Sequence, residues 1–225
     1  MKKLLAAIIA AALLLSGCSL SSRPAVSAPP AETPSPSPTP IVTPTPAPEP
    51  SDDELVLVRD YIPGIFIDLK YATTDNFTGQ VIYDSDKAYL RYGTVKKLLA
   101  AQNELSGRGL SLKIWDAYRP VSAQFKLWEI CPNPVYVSDP NNGYSKHSRA
   151  NTVDITLVTS TGESIPMPSG FDDFTSLADR DYSDVSAEAA ENARLLESIM
   201  VENGFVPYSG EWWHYSDSVS YDVYG

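Results

Sequence analysis

Residues 143–156 read GYSKHSRANTVDIT. His147, one of only two histidines in a chain of 225 residues, stands seven residues before Asp154. The run TVDITLV that follows alternates, with Val153, Ile155 and Leu157 on one face and Asp154 and Thr156 on the other, as a strand requires. A lone histidine ahead of a strand carboxylate asks for a partner. The only other histidine, His214, ends Glu211-Trp212-Trp213-His214.

A mononuclear catalytic zinc site takes three nitrogen or oxygen ligands, keeps one position open for water, and needs a nearby carboxylate that is not a ligand. His147, Asp154 and His214 would supply three ligands and leave Glu211 as the base; the alternative is two ordinary semi-buried histidines and a hydrogen-bonded strand carboxylate. In a flat strand, residues 211 and 214 point to opposite faces because their separation is odd. The backbone is therefore expected to bend between them, after the Ser209-Gly210 turn. Arg119, in WDAYRP, carries a permanently charged, forked guanidinium suited to stabilising an oxyanion or binding a carboxylate.

Outward from these motifs, GTVKKLLAAQNELS (93–106) has apolar residues near helical spacing and ends toward Gly107. LSLKIWDAYRP alternates as a strand through Leu110, Leu112 and Ile114 and stops at Pro120, and VSAQFKLWEI reads as a short helix. SAEAAENARLLESIMVENGF is a helix with Gly204 at its C-cap, and FVPYSGEWWHYS is an aromatic strand or turn-strand. Before all of these, LVLVRDYIPGIFIDLKYA alternates as extended chain with a turn at Pro63-Gly64. This order predicts a compact α+β domain, residues 52–225, with helices packed on a small, mostly antiparallel sheet.

The opening MKKLLAAIIAAALLLSGCSL has two lysines, an apolar run too short for a comfortable membrane span, and a small-residue cleavage pattern. Residues 1–18 read as an export signal whose Leu15-Ser16-Gly17-Cys18 resembles the bacterial lipobox, so Cys18 is expected to carry lipid and anchor the chain at the cell envelope. Residues 19–51 hold 11 of the 19 prolines and read as a disordered, extended spacer. The formal charge of −11 becomes two units more negative once Lys2 and Lys3 leave with the signal, which argues against a nucleic-acid partner. With Cys18 assigned to lipid, Cys131 reads as a structural thiol, and no apolar stripe fixes an oligomeric state.

FIDLKYATTDNFTG, WDAYRP, YSKHSRANTVDITL, MPSGFDDF and GEWWHY, in that order, resemble the D-alanyl-D-alanine dipeptidases, the VanX-type zinc D,D-dipeptidases of bacterial cell-wall metabolism. The resemblance covers about residues 54 to 217 and implies one zinc and cleavage of free D-Ala-D-Ala. It places the ligands on His147, Asp154 and His214, the catalytic base on Glu211 and the catalytic arginine on Arg119. It also assigns substrate contacts to Asp172, for the ammonium, and to Ser145 and Tyr144, for the carboxylate. The same metal site would suit a D,D-carboxypeptidase acting on D-Ala-terminated stem peptides, or a wall-peptide-binding module without catalysis.

Two departures stand out. The family usually has Gly after His-Ser-Arg, where this chain has Ala150. At positive φ an Ala there costs about 1 kcal/mol and threatens the placement of His147; at negative φ the change is nearly silent. The second departure is the export signal, since resistance members of the family act in the cytoplasm. Surface display shifts the expected role toward trimming or salvage of wall-derived peptides.

Overall fold

The computed structural model describes residues 48–225. The signal, Cys18 and nearly all of the proline-rich spacer lie outside the described residues. The elements in chain order are β1 (Leu55–Leu57), α1 (Val58–Tyr61), β2 (Phe66–Ile67), β3 (Tyr89–Arg91), α2 (Tyr92–Ser106), β4 (Leu110–Asp116), α3 (Val121–Ile130), β5 (Thr152–Thr159), α4 (Ala187–Glu202), β6 (Phe205–Tyr208) and β7 (Glu211–Asp217). The main sheet runs β2-β4-β5-β7-β6, antiparallel except for the β2–β4 pair, and β1 with β3 forms a separate antiparallel ribbon. The expected α+β architecture holds.

The opening extended segment is a partial correction. The alternation of LVLVRDY produces a strand only to Leu57, because β3 pairs with just Leu55–Leu57. Beyond that register the chain closes a helical turn, with the Ile62 N–H donating to the Val58 carbonyl before Pro63. The helices predicted over 93–106 and 121–130 appear as α2 and α3.

Helices α2 and α4 cover one face of the sheet. Tyr215 of β7 bonds Arg180, which pairs with Glu197 of α4, and Asp217, two residues on, accepts from Thr94 and Lys97 of α2. Residues two apart share a face, so this is the helix-covered side. It is sealed by Leu98, Leu105, Leu196 and Met200, all fully buried, where a large apolar side chain contributes about 1.5–3 kcal/mol. Helix α4 starts under a Ser186 cap and ends before Gly204 at φ 87°, the left-handed position that favours glycine. The opposite face carries Asp154 and His214.

Candidate metal centre and active site

Strand register sets two of the three predicted ligands. Asp154 and His214 are direct cross-strand partners in the β5–β7 pair, so their side chains leave the sheet on one face, and His214 Nδ1 lies 3.0 Å from Asp154 Oδ1. His147 arrives from the 3₁₀ turn Lys146–Arg149 that leads into β5. Its Nδ1 faces the Ala117 carbonyl at 2.9 Å, and because a carbonyl only accepts, Nδ1 carries the proton. The lone pair on Nε2 is left facing Asp154 Oδ2 at 3.3 Å and His214 Nδ1 at 3.4 Å. One donor atom from each of the three residues lies within 4.8 Å of the others. The donor set, two imidazole nitrogens and one carboxylate oxygen, fits a divalent metal ion.

The expected bend before His214 is a bulge. Tyr208 pairs with Glu211 but Pro207 pairs with Tyr215, so β7 spends four residues where β6 spends one. Strand alternation is suspended there: Trp212 and Trp213 are both buried, and Glu211 Oε2 comes to 3.5 Å from His214 Nδ1. A second bulge puts two residues of β4 opposite one of β5, turning Asp116 to face Asp154.

Asp116 is the functional residue that the sequence reading did not single out. Fully buried, it accepts from Tyr83 Oη at 2.5 Å, from Arg119 Nη2 at 2.6 Å and Nε at 3.2 Å, and it lies 3.5 Å from His147 Nδ1. Gln124 of α3 takes a third guanidinium bond at 2.9 Å, and the Arg119 guanidinium lies over the Tyr71 ring. Three of the five N–H groups of Arg119 are thereby committed, which fixes the fork and leaves two for a ligand. The signal was present, since Asp116 belongs to WDAYRP. Arg180 was also missed: it donates to the backbone carbonyls of Tyr208 and His214.

Charge follows geometry. Burial works against the Asp154 carboxylate, yet His147 and His214 outweigh it and hold the carboxyl well below its usual range. Burial also opposes the His147 imidazolium, and Asp154 and Asp116 overcome it, raising that pKa. Glu211 is pushed upward by burial and by Asp154, the direction useful to a general base. Asp172, at φ 54°, accepts from Tyr71 Oη at 2.8 Å, and burial is the main cause that raises its carboxyl to about 7. Its neighbour Asp173 instead accepts locally from the backbone N–H and the hydroxyl of Thr175.

Ser145 is buried, accepts from the His147 N–H at 3.3 Å, and lines a cleft of about 280 Å³ with Glu211 and His214. Tyr144 is nearly half exposed and the structure does not bring it into the cluster. Cys131 is half-buried, packed against the core. Ala150 takes the costly branch of the expectation: φ is 58° at the end of the turn that carries His147. His147 nevertheless stays in place, its carbonyl accepting from Ala150 at 3.0 Å and from the Arg119 N–H at 3.2 Å.

Comparison with known proteins bears on the same residues. Residues 51–221 match the family model described as D-ala-D-ala dipeptidase, Peptidase_M15. The chain is 40% identical over 162 residues to a D-alanyl-D-alanine dipeptidase of Escherichia coli strain K12, covering 72% of this chain and 83% of that protein. It is 36% identical over 174 residues to one of Enterococcus faecium, covering 68% and 86%. A third, from Streptomyces coelicolor, is 38% identical over 185 residues, covering 72% and 91%.

Proposed function

From the premise that the chain belongs to the D-alanyl-D-alanine dipeptidase family, a family of metallopeptidases, we propose that it hydrolyses free D-Ala-D-Ala with one zinc ion held by His147, Asp154 and His214. The observation that carries the reading is the convergence of the three donor atoms with Glu211 beside His214. Zinc held there would supply a Lewis acid and lower the pKa of the attacking water.

The chain's own residues do the rest. Glu211, poised upward in pKa and next to the ligands, takes the proton of the attacking water and returns it to the leaving amine. Arg119, held by Asp116 and Gln124, turns its two uncommitted N–H groups toward the developing oxyanion. Asp172 receives the substrate's ammonium, whose positive charge draws the carboxyl to its ionised form, and the Ser145 hydroxyl serves the carboxylate end. A short substrate is favoured by the stacking of Phe174, from the loop that carries Asp172, on Tyr136 of the cleft wall at 4.3 Å.

Residues 1–18 act as a lipoprotein signal, Cys18 carries the anchor, and the spacer holds the enzyme away from the membrane to trim or salvage wall-derived peptides. Among the described residues no helix is long and apolar enough to cross a membrane. The test of function is release of D-Ala by the purified full chain from D-Ala-D-Ala and from a D-Ala-D-Ala-terminated pentapeptide, with and without chelator. Dipeptide cleavage lost with chelator supports the reading; pentapeptide cleavage moves the chain to the carboxypeptidases, and no cleavage of either to a binding module. Loss of lipid labelling in Cys18→Ala tests the anchor.

A further inference from the structure

We propose that Arg91 is a positioning residue for His147, acting through a clasp that ties residues 218–225 to the ligand-bearing turn. The inference rests on the metal-centre reading above. Arg91 ends β3 and is 8% exposed, and among the described residues no carboxylate pairs with its guanidinium. A buried cation with no counter-charge is costly unless its donors are filled. Three carbonyls from three separate segments fill them: Asp53 at 2.5 Å, Arg149 at 3.1 Å and Asp222 at 2.8 Å. The rings of Tyr221 and Tyr224 lie against it, at 5.5 and 4.9 Å.

What the clasp holds is the turn after His147. The Ser148 carbonyl accepts from Tyr224 N–H at 2.9 Å, that of Arg149 from Arg91 Nε at 3.1 Å, and that of Ala150 from the Arg91 backbone N–H at 2.8 Å. Arg149 in turn donates to the Tyr221 carbonyl at 2.7 Å. The terminal segment also seats on Gly93, where any side chain would strike the Tyr221 hydroxyl. Every carbonyl between His147 and β5's flank is thus occupied from outside the turn, at the place where Ala150 adopts a left-handed backbone. A disfavoured conformation persists only when its surroundings over-determine it. Asp222 and Tyr224 lie past residue 221, where the match to the family model ends.

The chain holds two histidines, so imidazole ¹⁵N spectra of the full, metal-free protein resolve them. Lysine keeps the charge but loses the fork. In Arg91→Lys the His147 Nδ1–H signal is expected to shift or broaden while His214 is unmoved, and zinc affinity by chelator competition falls about 10–100-fold, the usual cost of losing an outer support. Truncation after Ser220 should do the same, combining the two should add nothing, and Ala150→Gly in the Arg91→Lys chain should restore part of the affinity. An unchanged His147 signal with zinc affinity within about twofold, in both variants, overturns the proposal, as does equal disturbance of both histidines. A parent chain that binds no zinc refutes the functional reading instead, and the metal-free spectra still decide the clasp.

Discussion

The β5–β7 strand pair and the turn Lys146–Arg149 bring donor atoms to the same point by opposite means. Asp154 and His214 are fixed by register: the sheet buries both neighbours and a slip of one residue would turn the side chains to the helix-covered face. His147 sits on a four-residue 3₁₀ turn that ends in an alanine at φ 58° and is kept in shape by bonds from Arg119, Arg91 and Tyr224. The lesson is that one donor set can combine parts that secondary structure secures with a part that depends on distant contacts.

That contrast can be broken in graded steps. Asp154→Ala should abolish zinc binding and turnover together, whereas Glu211→Ala should retain zinc, read by chelator competition, and lose about 10²–10⁴ in kcat. If Glu211→Ala lost the metal as well, Glu211 would be a ligand and the division of labour would fail. Next comes Arg119, held by Asp116 of the β4 bulge: Arg119→Lys should lower kcat about 100- to 1000-fold with zinc retained. A change in KM alone would reassign Arg119 to substrate binding.

A smaller effect is expected at Asp172. Its folded pKa of about 7 lies above the ordinary aspartate value of 3.8, so the folded state holds the proton more tightly than the unfolded chain. Stability from this group is complete below the unfolded value and is lost as pH rises through about 7. Thermal melts of the metal-free protein should therefore show the parent falling behind Asp172→Asn across that window. Parallel curves would show that the carboxyl ionises without cost. Smallest is Ala150→Gly, expected to raise unfolding stability by about 1 kcal/mol in a denaturant titration. A neutral or negative result would mean that the turn is not strained and that the two modes of ligand delivery differ less than their backbones indicate.

The sequence carried the sheet-anchored half of this picture well, because alternation in TVDITLV and the caps of long helices are local signals. The odd spacing of Glu211 and His214 even required the β7 bulge. What stayed hidden is tertiary. The strand pattern of LVLVRDY stops at Leu57 because β3 offers only three residues to pair with, which no local pattern reveals. Asp116 stood inside a quoted motif, but its importance comes from Tyr83 and His147, brought in from other segments. The backbone angle of Ala150 could be posed as a question and not answered, since a residue's identity does not state its φ.

The pairing of β5 with β7 has a kinetic side. Asp154 and His214 are 60 residues apart in sequence, with α4 and the β6–β7 turn between them. Closing so long a loop is entropically costly and is repaid only when the strands register, so this contact is predicted to form late in folding. Before it, an emerging chain offers a metal only His147 and Asp154, a weak bidentate hold. With zinc held as proposed, the lag before its tight capture on refolding is expected to report the β5–β7 pairing.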